Sequence, residues 1–193
     1  MNSYLDIFPL IGVLIGLIGG AGYTIDTLKG KTKPNRVSWL MWMISPLIAS
    51  IAAFSAGVRW AAIPTFASSL VPLSVLIASF INKKSYWKLE TFDYFCGIFS
   101  VIGLILWYLI KQPEIAILFA ILSDLMASAP TLIKIWHHPE TESANAYIGG
   151  VIANATAFAV ITSWSFAEVA FPTYLVVICL IFVGLIYRKN STK

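Results

Sequence analysis

Residues 129–143 read A-P-T-L-I-K-I-W-H-H-P-E-T-E-S. An apolar run carrying Pro130 ends at Lys134 and Trp136, a short polar loop follows, and Ser143 opens the next apolar run. The same plan stands 105 positions earlier, in T-I-D-T-L-K-G-K-T-K-P-N-R-V-S, residues 24–38. There Lys29 falls opposite Lys134, Pro34 opposite Pro139 and Ser38 opposite Ser143. A second echo lies further along each copy. Ala62-Ile63-Pro64-Thr65-Phe66 matches Ala170-Phe171-Pro172-Thr173-Tyr174 at an offset of 108, so the later copy needs only three extra residues. Apolar runs drawn from few residue types can match by chance. Agreement between the polar corners and the A-x-P-T-aromatic echo argues for duplication.

The surrounding composition fixes the solvent. Of 193 residues, 59% are hydrophobic and 11% charged, with a mean hydropathy of +0.82. Soluble domains carry about 25% charged residues, so an apolar share this large implies lipid. The length suits one domain. A net charge of +4 with a pI near 9.1 raises nucleic acid as a partner. The charges punctuate apolar runs and form no basic face, which excludes that class. Cys96 and Cys179 both lie in apolar runs and read as buried thiols, without a disulfide framework or metal site. The N-terminus has no basic region before its apolar run and carries Asp6, so a retained first span is expected rather than a cleaved signal.

Seven apolar segments can cross ~30 Å of hydrocarbon as helices of about 20 residues. They run 8–28, 37–57, 60–82, 91–110, 114–136, 144–163 and 167–187. Helices are required because each span must satisfy its own backbone hydrogen bonds. Eleven Lys and Arg residues, including Lys29, Lys31, Lys33, Arg36, Lys83, Lys84, Lys88, Lys134, Arg188, Lys189 and Lys193, fall on one side of these spans. Only Arg59 and Lys111 fall on the other. The positive-inside rule therefore places the N-terminus outside and the C-terminus in the cytoplasm of a plasma (inner) membrane. Trp39, Trp87 and Trp136 near one boundary, and Trp60, Trp107 and Trp164 near the other, read mostly as aromatic belts.

The expected fold is an all-α, seven-transmembrane-helix bundle. Two parallel three-helix repeats (8–84 and 113–189) are joined by a linker helix (91–110) within a single membrane domain, 1–193. The linker has a physical role. Three helices end on the opposite side from where they begin, so one extra span restores a common orientation and brings both corners to the same face. Parallel repeats of this kind are related by an axis along the membrane normal.

On these residues the chain resembles the SWEET and PQ-loop (MtN3-like) superfamily of transporters. Ala129-Pro130-Thr131, then Lys134-Ile135-Trp136, then Thr141-Glu142-Ser143 is similar to that family's corner, with Thr131 where the namesake Gln would stand. In the first copy Ile25 stands opposite Pro130 and Asp26 opposite Thr131. The resemblance implies three helices, a linker helix and three more, and a solute path between the halves. The family's sugar transporters place paired Asn residues in the third helix of each repeat, whereas spans three and seven here have no central Asn. The family also contains amino-acid exporters and a peptide-signal receptor.

Asp124, near the middle of span five, is the foremost candidate. An ionisable residue there costs about 2.5–3.5 kcal/mol on insertion scales. It should face the bundle interior, either as a site for proton coupling or as a structural carboxyl bonded to a neighbouring helix. Ser123, Ser128 and Asn154 are its expected partners. Asn154 lies at matching depth in span six, as a pocket residue or as inter-helix glue worth about 0.6 kcal/mol. Asn145 stands nine residues earlier and so points to the opposite face. Trp42 and Ser45 lie deeper in span two than the belt, and Tyr147 is the repeat mate of Trp42; the resemblance implies that an aromatic here walls the substrate. Pro46 and Pro130, deep in their helices, are hinge or static-kink positions. Pro64, Pro72 and Pro172 also punctuate spans. Gly12, Gly16, Gly19 and Gly20 give span one a small packing face, and Gly149-Gly150 does the same in span six. His137, His138, Glu140 and Glu142 fit no closed metal site and read as a solvated loop. Neither metal nor cofactor is expected, and no phosphate loop or nucleophile triad suggests an enzyme.

The sequence thus favours a small multi-pass transporter. It would move a small polar solute by alternating access, proton-coupled through Asp124. A receptor or sorting protein on the same fold, or a structural or lipid-binding bundle, are the alternatives. Expected partners are membrane lipid, the solute and, as an option, a second copy in a homo-oligomer.

Overall fold

The computed structural model describes residues 7–110 and 112–188. Asp6, Lys111, Lys189, Lys193 and the Trp107 side chain therefore lie outside the described residues. The described chain is all-helical. Its α-helices are α1 (Ile7–Leu28), α2 (Arg36–Ser55), α3 (Ile63–Ala67), α4 (Leu70–Ile81), α5 (Thr91–Ile110), α6 (Pro113–His137), α7 (Asn145–Ala155) and α8 (Phe166–Arg188). Among the described residues five helical segments are long and apolar enough to cross a membrane: Ile7–Leu28, Arg36–Ser55, Trp60–Ile81, Pro113–His137 and Phe166–Arg188. The other two expected spans are helical as well. One is α5, and the other is the shorter run Asn145–Val160.

The outer surface is the apolar one. Ile18, Ile81 and Leu109 are 72%, 69% and 66% exposed, which suits hydrocarbon and not water. Inside, small polar residues are buried: Ser38, Ser45, Ser123, Ser128 and Thr131. They form a seam between α2 and α6, in which Thr131 donates to Ser38 (2.9 Å) and Ser45 to Ser123 (3.4 Å).

Two spans are less regular than their hydropathy predicts. The third is broken at Ser68–Ser69, between α3 and α4. Pro72 has no N–H to offer the Ser68 carbonyl four residues back, so the ladder fails there. Hydroxyls of Ser68 and Ser69 turn to the carbonyls of Pro64 (2.9 Å) and Phe66 (2.7 Å). The sixth leaves α7 for a 3-10 turn over Thr156–Val160. The chain beyond it is held by the Glu168 carboxylate, which accepts from the backbone N–H groups of Thr162, Ser163 and Trp164.

Helix neighbours follow a regular scheme. Helix α4 packs against both α1 and α2, and α8 against both α6 and α7. Across the molecule α1 packs on α7 and α2 on α6, while α5 lies against α6 and α2. The α1–α7 contact is made by small residues. A Cβ on Gly16 would stand 3.0 Å from the Ala153 Cβ, and one on Gly149 would stand 3.2 Å from the Gly16 Cα. Gly19 is tighter still, because its missing Cβ would run into the Asn145 backbone carbonyl.

Gly19→Ala must therefore push two backbones apart, at about 1–3 kcal/mol for overpacking. Gly184 has open space around it. Thermal unfolding in detergent should show a clear loss for Gly19→Ala and none for Gly184→Ala. Equal behaviour of the two variants would contradict the close-packed seam.

Candidate functional site

The site is built where the two polar corners meet. At the first, α1 ends on Gly30, whose φ of +78° is the left-handed conformation that a helix-ending glycine supplies. The Gly30 and Lys31 N–H groups return to the carbonyls of Thr27 (3.0 Å) and Asp26 (2.9 Å), which closes a Schellman motif. The chain re-enters at Asn35, whose side chain caps α2 by accepting from the N–H groups of Val37 (3.0 Å) and Ser38 (3.3 Å). At the second corner Pro139 cannot continue α6. A 3-10 turn over Pro139–Thr141 follows, and Glu142 adopts extended backbone, φ −123° and ψ 150°. This reversal brings Glu142 back over the last turn of α6.

Glu142 is buried there against Lys134, with side-chain exposures of 0% and 1%. The Lys134 ammonium donates to Glu142 Oε1 and, at 2.7 Å, to the Lys33 carbonyl of the first corner. The other carboxylate oxygen accepts from Tyr23 of α1 at 2.5 Å and Tyr147 of α7 at 3.1 Å. A backbone bond from Lys33 N–H to the Thr141 carbonyl (2.9 Å) completes the junction. The Lys134 ammonium also stands 5.5 Å from the Trp87 ring centroid. The two corners that echo one another in sequence thus touch, and four side chains from α1, α6, α7 and the second corner share one charge pair.

Beneath this junction lies an aromatic layer. Ring centroids are 4.7 Å apart for Tyr23 and Trp39, 5.2 Å for Trp39 and Trp42, 5.4 Å for Trp42 and Phe182, and 4.6 Å for Tyr147 and Phe182. Below the layer is a cavity at mid-bundle, with about 90 Å³ of space for the centres of water-sized molecules. That is room for several waters. It is lined from α1, α2, α3, α4, α6, α7 and α8. A second void beyond it, among Ala49, Ala53, Ala62 and Phe171, offers only about 10 Å³.

Most of the candidates read from sequence converge on the larger cavity. Asp124, Ser128, Trp42, Pro46, Tyr147 and Asn154 all line it. Asp124 is bonded through one oxygen to the Tyr174 hydroxyl at 2.7 Å. Trp42 Nε1 donates to Ser128 Oγ (3.0 Å), and Asn154 Nδ2 donates to Ser68 Oγ (3.2 Å) and the Gly150 carbonyl (2.9 Å). Ser45 and Pro130 are buried but do not line it. Ser45 lies in the α2–α6 seam. Asn145 is exposed, as its opposite-face position requires.

Three placements differ from the sequence reading. Glu142 is not part of a solvated loop, although His137, His138 and Glu140 beside it are exposed. Lys134 is the buried partner of a carboxylate and more than a topology signal. Trp39 is 2% exposed, so it belongs to the aromatic layer and not to an interfacial belt. Its spacing of three from Trp42 puts both on one helix face, which is the signal that could have found it. Compared with protein-family models, curated proteins and solved structures, the chain matches none.

Removing one partner of a buried ion pair leaves an uncompensated charge, at about 3–5 kcal/mol. Glu142→Gln and Lys134→Met should each lower the unfolding midpoint in detergent strongly. The double variant should lose much less than the two singles combined. Additive losses would mean that the charges do not stabilise one another.

Proposed function

We propose that the protein is a transporter of the SWEET/PQ-loop type, moving a small polar solute by alternating access between two parallel three-helix repeats. The observation that carries this reading is the mid-bundle cavity, lined by both halves, whose wall residue Tyr147 donates to a charge pair to which both halves contribute. The helix neighbours support the repeat. Exchanging the first three spans with the last three turns the α1–α7 contact into α6–α2, and α4 between α1 and α2 into α8 between α6 and α7. On the positive-inside reading both corners face the cytoplasm and meet there. Parting the corners would open the cavity inward. Pro46 lines the cavity and Pro130 lies in α6 four residues before Lys134, which places both proline interruptions close to the parts that must move.

Asp124 supplies the coupling group. Its second carboxylate oxygen, Oδ1, has no partner among the described residues, so a proton can be taken up there. Reconstituted into liposomes and tested against sugars, amino acids, amines and vitamins, the protein should move at least one solute. A pH gradient should drive that flux, and Asp124→Asn should abolish the pH-driven component. Undiminished gradient-driven uptake by the variant would contradict the role of Asp124. Ligand binding without flux would favour a receptor on the same fold.

A further inference from the structure

The residues that line the cavity are unbalanced in their unpartnered hydrogen-bonding atoms. Most lining donors are already spent on the protein. Trp42 Nε1 donates to Ser128, Ser128 to the Asp124 carbonyl (2.9 Å), Ser68 to the Pro64 carbonyl (2.9 Å) and Tyr147 to Glu142. The Asn154 amide nitrogen is likewise bonded. Three buried atoms on lining residues have no partner among the described residues: Asp124 Oδ1, Asn154 Oδ1 and Trp39 Nε1. Two are oxygens that only accept when Asp124 is ionised, and one is a donor. Buried polar groups are normally partnered, and leaving one unpartnered is destabilising. An occupant that relieves them must bring more donors than acceptors.

The lining also selects by charge. Asp124 is its one ionised-type side chain, and no Lys or Arg is present to meet an anion. The remaining walls include Trp39, Trp42, Tyr147 and Phe182. Aromatic rings attract cations through their quadrupoles and accept an apolar body equally well. A polyol brings an acceptor with every hydroxyl, for which only Trp39 Nε1 is unpartnered. A carboxylate would face Asp124 with no counter-charge.

We propose that this cavity binds a small organic amine as its ammonium, with N–H groups on Asp124 Oδ1 and Asn154 Oδ1, an apolar body against the aromatic walls, and no carboxylate. The assignment rests on the cavity being the solute site, and it holds whether or not the solute is carried across.

Titration calorimetry on the full chain in detergent tests it with two matched sets of probes. One set is 2-phenylethylamine, 2-phenylethanol and phenylalanine; the other is isobutylamine, isobutanol and valine. Hydrogen bonds to a charged group contribute about 1.5–3 kcal/mol, or roughly ten- to a hundredfold in affinity. In at least one set the amine should bind tighter than the alcohol and the amino acid by that factor. Asp124→Asn, checked for an intact melting transition, should bring amine and alcohol to within about threefold of each other. The ranking on the unsubstituted protein decides the matter even if the variant fails to fold. Equal binding of amine and alcohol, tightest binding of the amino acid, or no binding of either amine overturns the proposal. Amine binding without flux in liposomes upholds it while ending the transporter reading; flux of another solute without amine binding does the reverse.

Discussion

The rest of the structure depends on one buried charge pair, Lys134 with Glu142. Isolated, either charge would cost several kcal/mol to remove from water. Here each has enough partners to be tolerated. The ammonium reaches Glu142 and the Lys33 carbonyl, and the carboxylate receives two tyrosine hydroxyls. Those partners come from opposite halves of the chain, so one electrostatic site holds α1 and the first corner to α6, α7 and the second. The aromatic layer is fixed by the same site, because Tyr23 and Tyr147 must aim their hydroxyls at Glu142 while their rings pack on Trp39 and Phe182. Loss of the pair would free the layer that roofs the cavity.

The two long contacts between the halves differ in chemistry. The α1–α7 seam is a backbone approach allowed by Gly16, Gly19 and Gly149, and it has little room to adjust. The α2–α6 seam is held by side-chain hydrogen bonds among Ser38, Thr131, Trp42 and Ser128, each worth about 0.6 kcal/mol in membrane proteins. Such bonds can be exchanged one at a time. In the proposed cycle the glycine seam serves as the fixed contact and the hydroxyl seam as the one that re-pairs.

Much of this was legible in the sequence, for physical reasons that also explain the gaps. Helical segments follow from apolar length, since lipid leaves the backbone no other partners. Asp124 and Asn154 stand out because a polar residue in a long apolar run needs a reason. Glu142 offered no such contrast. It sits among His, Glu and Thr in a short loop, and its burial depends on a turn at Pro139 that hydropathy does not register. The repeat was no guide here either, because its mate is Val37, and Lys29, the mate of Lys134, is exposed. Asp124 and Asn154 face Gly19 and Ala49 in the repeat, so the polar chemistry belongs to the second copy. The break at Ser68–Ser69 was written in Pro72, but a hydropathy window averages across it.

If the charge pair holds the two corners together, breaking it should part them. Spin labels at Lys31→Cys and Glu140→Cys, in a background of Cys96→Ser and Cys179→Ser, report the separation of the corners by double electron–electron resonance. With Glu142 intact one short distance population is expected. Adding Glu142→Gln should move a large share of molecules to a distinctly longer separation while the helical content, read by circular dichroism, is retained. An unchanged distance distribution in the variant would mean that the pair does not hold the corners together.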